Sequence, residues 1–477
     1  MEKNYLNQFE QPSSAFRGAP FWAWNCKLSR EQLLRQTDYL KEMGLGGYTI
    51  HCRTGLDTPY MGEEFLTLVK EITQKAQKDQ MHVYLYDEDR WPSGFGGGMV
   101  TKEEKYRGRY LVFTPFRQED REWTQKDQVT GSSAAGKVQG NGTLLARYEV
   151  ELEAGMLAAY RRLKDGEVGA NIWYAYLEYS PKSPWFNNES YVNTLDKRAI
   201  ERFIQVTHEK YYETVGEYFG DQIPSIFTDE PQFTHKQTLG KAEEKRDVLI
   251  PYTDDFEDTF REAYGESFLD HLPEVFWQLP GGRVSLTRYR YHDHLAERFA
   301  CAYSDTIGAW CRAHHIALTG HMMAEETLES QTGALSEAMR HYRGFGVPGI
   351  DMLCDRREYS TAKQAQSAAH QLGANEVTSE LYGVTNWDFD FRGHKLQGDW
   401  QAALGVTHRV PHLSWVSMAG EAKRDYPASI SYQSPWFREY KIVEDHFARV
   451  NTALQSGRPW VRVGVIHPIE SYWLFFG

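Results

Sequence analysis

The chain has 477 residues, with 53 Lys and Arg against 66 Asp and Glu, a net charge of −13. That length suits one large domain carrying insertions, and the acidic balance argues against nucleic acid or an anionic membrane surface, both of which need basic patches. No apolar run reaches the ~20 residues of a membrane span, the first residues lack the apolar core of a secretion signal, and five scattered cysteines (Cys26, Cys52, Cys301, Cys311, Cys354) without a CxxC pair read as reduced thiols of a cytoplasmic protein.

In chain order, apolar runs and helical repeats alternate. Phe21–Asn25 is a first strand, and Ser29 with Gln32 is a capping box for a helix carrying Leu33, Leu34, Leu40 and Met43 that stops at Gly44. Tyr48–Arg53 is a second strand, backed by a helix with Phe65, Leu66, Val69, Ile72 and Ala76, and His82–Asp87 is a third. The alternation then breaks. Stretches such as Leu144–Val150, interrupted by a Gly/Ser/Gln-rich segment from Thr130 to Gly142, predict a small β-rich insertion over 107–187. The cycle resumes with a helix over Asp196–Phe219 and a strand ending at Glu230, then a second, charged insertion over Lys236–Arg283. A long helix over Tyr289–His314 precedes the strand Ala317–His321. The strand Gly349–Cys354, a helix over Thr361–Leu372, a strand ending at Glu380, the strand His412–Val416 and a last helix through Phe447, Val450 and Leu454 complete the pattern. Eight strands in this order close naturally as a (β/α)8 TIM barrel, built from 1–106 and 188–459. Val461–Pro468 reads as a ninth strand, a packing extension or the start of a further domain over 460–477.

Two acidic tetrads carry the chemistry. Thr228-Asp229-Glu230-Pro231 and Thr378-Ser379-Glu380-Leu381 each close an apolar run and so present a carboxylate at the rim of the sheet. Loops after the strand C-termini build the active site of such a barrel. Two acids there are the minimum for cleaving a glycosidic bond: one protonates the leaving oxygen, the other attacks carbon or activates water. The same rim holds Asn25, His51, Arg53, Asp87, Glu88, Asp89, Trp91, His321, Asp355, Tyr382 and Trp415. Any one alone reads more simply as a solvated loop residue or an ion-pair partner. Carboxylates from several strands in one crevice repel one another, raise pKa values and suit acid catalysis. They could equally hold a hard cation through oxygen ligands, and spacing does not separate the two uses.

Aromatic residues make up 14% of the chain, with 14 Trp and 29 Tyr, which favours a carbohydrate partner. Competing motifs fail. His208-Glu209 is followed by Tyr212 where HExxH needs histidine, Gly94–Gly98 is not GxGxxG and reads as a flexible rim loop, and neither GxSxG nor a P-loop occurs. His314-His315 reads as a structural helix end.

The runs Pro20-Phe21-Trp22-Ala23-Trp24-Asn25, His51-Cys52-Arg53 and Tyr86-Asp87-Glu88-Asp89-Arg90-Trp91-Pro92-Ser93-Gly94 resemble the catalytic barrel of glycoside hydrolase family 106, whose characterised members are α-L-rhamnosidases. Phe227-Thr228-Asp229-Glu230-Pro231 and Ser379-Glu380-Leu381-Tyr382-Gly383 continue the likeness over nearly the whole chain. The resemblance implies a TIM barrel, a paired-carboxylate mechanism with inversion, a Ca²⁺ near the sugar and further domains beyond the barrel. A looser likeness is to clan A retaining glycosidases, where an Asn-Glu pair ends strand four and a Glu ends strand seven; here Asp229 replaces that Asn. The strand positions of the two acids favour retention.

The sequence therefore predicts a cytoplasmic, exo-acting glycoside hydrolase that removes a terminal sugar, α-L-rhamnose by resemblance. Glu230 is the expected general acid and Glu380 the nucleophile or base. Asn25, His51, Arg53, Asp87, Glu88, Trp91, Asp229, His321, Asp355, Tyr382 and Trp415 are expected to bind the sugar. No metal or other cofactor is required, and the partner is a carbohydrate rather than nucleic acid or membrane. The rivals are a metal-dependent lyase or isomerase, with the rim acids, His51 and His321 as ligands, and a non-catalytic sugar-binding barrel.

Overall fold

Eight parallel strands form the centre of the computed structural model, which describes residues 2–126, 133–137, 142–354, 356–374, 376–426 and 428–477. They are β1 (Phe21–Trp24), β2 (Gly47–Cys52), β3 (His82–Tyr86), β4 (Ser225–Asp229), β5 (Ala317–His321), β6 (Val347–Met352), β7 (Thr378–Leu381) and β8, split into His408–Pro411 and Ser414–Trp415. Each pairs in parallel with its neighbours in chain order, and Ser414–Trp415 returns to pair with β1, bringing the sheet round into a barrel. β8 begins four residues earlier than its sequence suggests. Pro411 disguises it, but a proline at the end of a strand piece leaves the preceding ladder intact.

Inward positions alternate along each strand. Phe21, Ala23, Tyr86, Phe227, Val410, Leu413 and Trp415 form an apolar plug inside the barrel. Above it the inner surface turns polar. Two glycines permit this. A Cβ on Gly320 (φ +119) would sit 1.9 Å from the Thr228 carbonyl oxygen, and one on Gly349 would sit 2.3 Å from that of Gly320. Only glycine lets β4, β5 and β6 approach so closely, and these strands carry Asp229, His321 and Asp351.

Helices pack outside. Ser29 caps the helix Arg30–Glu42 through the Gln32 amide N–H (3.4 Å), but the Gln32 side chain donates to the Val416 carbonyl rather than turning back to complete a capping box. The helix expected over Asp196–Phe219 is two, Lys197–Val206 and His208–Val215, and the long one divides into Leu286–Phe299, a π turn over Ala300–Asp305 and Thr306–Ala313. Between β3 and β4, and again after β4, the chain supplies a five-stranded antiparallel sheet ordered 248–251, 109–114, 172–179, 143–153, 156–162. Phe113 stacks on Trp173 (5.0 Å) and on Phe276 (4.5 Å), joining this sheet to the segment after β4. Most of the Thr130–Gly142 segment lies outside the described residues. The ninth strand is not formed. Residues 461–468 carry no strand, with Val463 75% and Val465 89% exposed, and the helix Ile469–Trp473 buries Trp473 against Ala296. Among the described residues no helix is long and apolar enough to cross a membrane, and all five cysteines are free thiols.

Candidate active site

The polar upper layer of the barrel centres on His321, at the end of β5. Its Nε2 lies 2.8 Å from Oε2 of Glu380 on β7, and as an N–H it donates to that carboxylate. The same nitrogen is 3.6 Å from Asp229 Oδ1. Asp229 accepts a 2.6 Å hydrogen bond from the Tyr86 hydroxyl through its other oxygen. His412 Nε2 lies 3.6 Å from Glu380 Oε1 and 3.5 Å from Arg53 Nη1, which donates to it. Burial and the Arg53 charge hold the His412 pKa well below the usual imidazole value, so the ring is neutral. Arg53 itself is 2% exposed, ion-paired with Asp425 (3.0 Å) and enclosed by the rings of Trp91, Tyr426 and Trp415 at 4.8, 5.2 and 5.4 Å.

Glu230 follows β4 directly and its backbone is left-handed, at φ 48°, which turns its side chain out of the strand's alternation. Glu230 and Asp351 remain partly exposed, whereas Asp229 and Glu380 are buried. One carboxylate oxygen each from Glu230 and Asp351 and a ring nitrogen of His321 lie within 4.8 Å of one another. His321 thus lies close to both Glu230 and Glu380. Burial, reinforced by Asp229, Asp351, Glu380 and Glu325, pushes the Glu230 pKa well above the ordinary carboxyl range. Burial and Glu380 raise Asp351 to about 8. Burial likewise raises Glu325 to about 8, although it accepts from the Met322 amide (2.9 Å) and the Tyr342 hydroxyl (3.0 Å). Burial and Asp229 raise Glu380, and Arg53 opposes them. The site is therefore a cluster of carboxyl groups that cannot all ionise together near neutral pH.

Of the residues expected to bind sugar, Arg53, Trp91, Asp229 and His321 converge on this mouth. His51 lies just below, stacked on Tyr86 at 4.1 Å, with neither ring nitrogen hydrogen-bonded among the described residues. The others are placed elsewhere. Asn25 exchanges hydrogen bonds with the backbone of Ser417 and clasps β1 to the segment after β8. Asp87 sits behind the sheet, accepting from Ser93 Oγ at 2.6 Å. Both oxygens of Glu88 are occupied by the amide N–H groups of Asp89, Gly94, Gly96 and Gly97, at 2.7–3.0 Å, so the glycine run expected to be a flexible loop is wrapped around a buried carboxylate. Tyr382 is 1% exposed and donates to the His394 carbonyl among the outer helices. Trp415 is fully buried in the apolar plug and offers no face to a sugar. Asp355 lies outside the described residues.

Sequence reasoning missed Tyr86, Glu325, Asp351, His412, Asp425 and Tyr426. Inward alternation could have found Asp351, because its register partner on β7 is Glu380.

The fold and the site define an α/β barrel with a carboxylate-rich mouth. A solved structure with this fold is a rhamnosidase from Novosphingobium sp. PP1Y, at TM-score 0.64 and 13% identity, covering 95% of this chain and 61% of that one. The chain thus spans about 61% of the length of that enzyme, and the likeness is one of fold. A trehalulose synthase (TM-score 0.31, 10% identity, covering 83% of this chain and 64% of that one) and an isomaltulose synthase from Erwinia rhapontici NX5 (0.32, 8%, 91% and 83%) are too distant for an argument. No protein-family model and no curated protein matches the chain.

Proposed function

We propose that the protein is a glycoside hydrolase that removes a terminal sugar by a two-carboxylate mechanism. The observation that carries this reading is the pairing of Glu230 and Glu380 about His321, one partly exposed with a strongly raised pKa, the other held by an imidazole N–H. Glu230 is the general acid: its proton is retained near neutral pH by burial and four neighbouring carboxyls, and it is given to the leaving oxygen as the bond breaks. Glu380 is the carboxylate that attacks the anomeric carbon. Burial and Asp229 push the Glu380 pKa up. The hydrogen bond from His321 and the Arg53 charge oppose them, and in the proposed reactive state they keep Glu380 ionised while Glu230 and Asp351 hold the protons. Its place on β7, opposite an acid following β4, supports a covalent intermediate and retention of configuration. The first-formed sugar should keep its anomeric configuration in proton NMR; an inverted product would make Glu380 a base that activates water.

The rhamnosidase of the same fold makes α-L-rhamnose the first sugar to test. A panel of nitrophenyl glycosides, α-L-rhamnoside and β-galactoside first, tests the function; absence of turnover of any member removes it. A Ca²⁺ near the sugar would take carboxylate oxygens from Asp229 and its neighbours in the mouth and would offset their charge, with Glu230 outside its coordination so that it keeps its proton. A metal-dependent lyase or isomerase is the second reading, because Asp229, His321 and Glu380 each offer a ligand atom within 4.8 Å of the others. Chelator treatment separates the two. Glycoside turnover that survives chelation, or that Ca²⁺ alone restores, fits the hydrolase; an elimination or isomerisation that depends on a transition metal fits the rival.

A further inference from the structure

The aromatic rings outside the carboxylate cluster form a wall that the proposed chemistry has not used. Tyr426 and Trp91 flank the Arg53 guanidinium at 5.2 and 4.8 Å. Arg53 reaches the mouth through His412 (3.5 Å), which lies 3.6 Å from Glu380. Tyr426, its hydroxyl pKa raised chiefly by burial, also feels Asp425, Glu230 and Asp351 against the opposing Arg53 charge. Its ring centroid is 6.4 Å from that of Trp91, and Trp91 meets Trp185 edge to face at 4.7 Å. All three keep part of their surface in solvent, whereas Trp415, which also meets Arg53, is fully buried. Trp185 comes from the excursion between β3 and β4, not from the barrel. It is fixed there: its indole N–H donates to the Trp91 carbonyl at 2.8 Å, and the Arg90 guanidinium lies 5.9 Å from its ring. Next to it, the Asn187 amide donates to Asp89 at 2.9 Å, tying the excursion to the loop after β3. A row of partly exposed, immobilised rings beside the acid cluster of the mouth has a specific use. The acid protonates the leaving oxygen, so the group beside it is the one that departs. Flat aromatic faces take a ring that presents an apolar face, and rigid ones do so at little entropic cost.

We propose that Tyr426, Trp91 and Trp185 form the leaving-group subsite, and that it takes a ring with an apolar face, either an aryl aglycone or the C–H face of a pyranose. This rests on Glu230 being the acid of a glycoside hydrolase. Trp185, the outermost ring, sets how strongly the subsite discriminates.

The test uses Trp185→Ala and Trp185→Phe in the whole chain. For the sugar identified by the glycoside panel, kcat/KM is measured with 4-methylumbelliferyl, disaccharide and fluoride leaving groups. Loss of the indole face should lower the ratio of ring-bearing to fluoride substrates by ~10-fold, the scale of one aromatic contact, and Trp185→Phe should recover most of it. The aryl and disaccharide arms show which ring the wall prefers. Calorimetric binding of 4-methylumbelliferyl glycosides to Glu380→Gln, alone and combined with Trp185→Ala, gives a readout independent of turnover; affinity should fall by a similar factor. An unchanged ratio, equal affinities, no binding to either protein, or Trp185→Phe behaving like Trp185→Ala would overturn the proposal. Absence of turnover with measurable, Trp185-dependent binding would instead remove the hydrolase reading and leave the ring-binding wall.

Discussion

Neighbouring strands β3 and β4 end in the same kind of sequence, Asp87-Glu88 and Asp229-Glu230, yet the two acid pairs have opposite fates. Glu88 is saturated by four backbone N–H groups of its own loop, and Asp87 is buried behind the sheet against Ser93. Asp229 and Glu230 face the barrel mouth, where Glu230 is partly exposed and, among the described residues, no hydrogen bond ties down its carboxyl. What separates them is the glycine-rich run after β3. Backbone N–H groups gathered at one point satisfy a carboxylate completely and convert it into a structural anchor. Glu230 is followed at once by Pro231, which has no N–H to give. An acid at a strand end is therefore available for chemistry only where the following loop leaves its oxygens free.

The largest effect should come from the mouth. Glu380→Gln removes the charge that attacks the sugar, so kcat should fall by ~10³-fold or more on every substrate while the melting temperature stays near that of the parent. Retained activity would assign the pair differently. On the β3 side the change should appear in stability. Glu88→Ala strands buried N–H groups and should cost ~3–5 kcal/mol in denaturant unfolding, far more than Glu230→Ala does. Equal costs at the two positions would erase the contrast.

A smaller effect concerns Asp87, whose pKa burial raises to about 8. Its folded-state value lies above the unfolded one, so between roughly pH 4 and pH 8 the folded protein holds a proton that the unfolded chain has already lost. The stability this proton provides is fully present below that window and is lost as pH rises through it. Asp87→Asn should flatten the decline of stability toward pH 8, by no more than a few kcal/mol across the window. A slope unchanged by the substitution would mean that Asp87 is ionised.

The barrel was legible in the sequence because strand and helix periods alternate, and because acids closing apolar runs mark strand ends. Glu230, Glu380, Asp229, Arg53 and His321 converge for that reason. What was hidden depends on three-dimensional closure. Asp351 lies inside its strand, and only the register with Glu380 brings it to the mouth. His412 opens the apolar run His412–Val416, and Pro411 disguises the strand piece that precedes it. Trp415 looked like a rim aromatic, but its pairing opposite Ala23 directs it into the plug. Asp425, Tyr426 and Trp185 arrive from segments without periodicity, so no local pattern could place them. Glu88 misled because its partners are backbone groups, which sequence does not display.

The general-acid role of Glu230 is tested most directly by the leaving-group dependence of Glu230→Gln. The variant keeps the shape of the side chain but has no proton to transfer. Its kcat/KM should fall by ~10²-fold or more on glycosides with poorly acidic leaving groups and by much less on nitrophenyl glycosides, which need little protonation. Equal losses on both kinds of substrate would contradict the assignment of Glu230 as the acid.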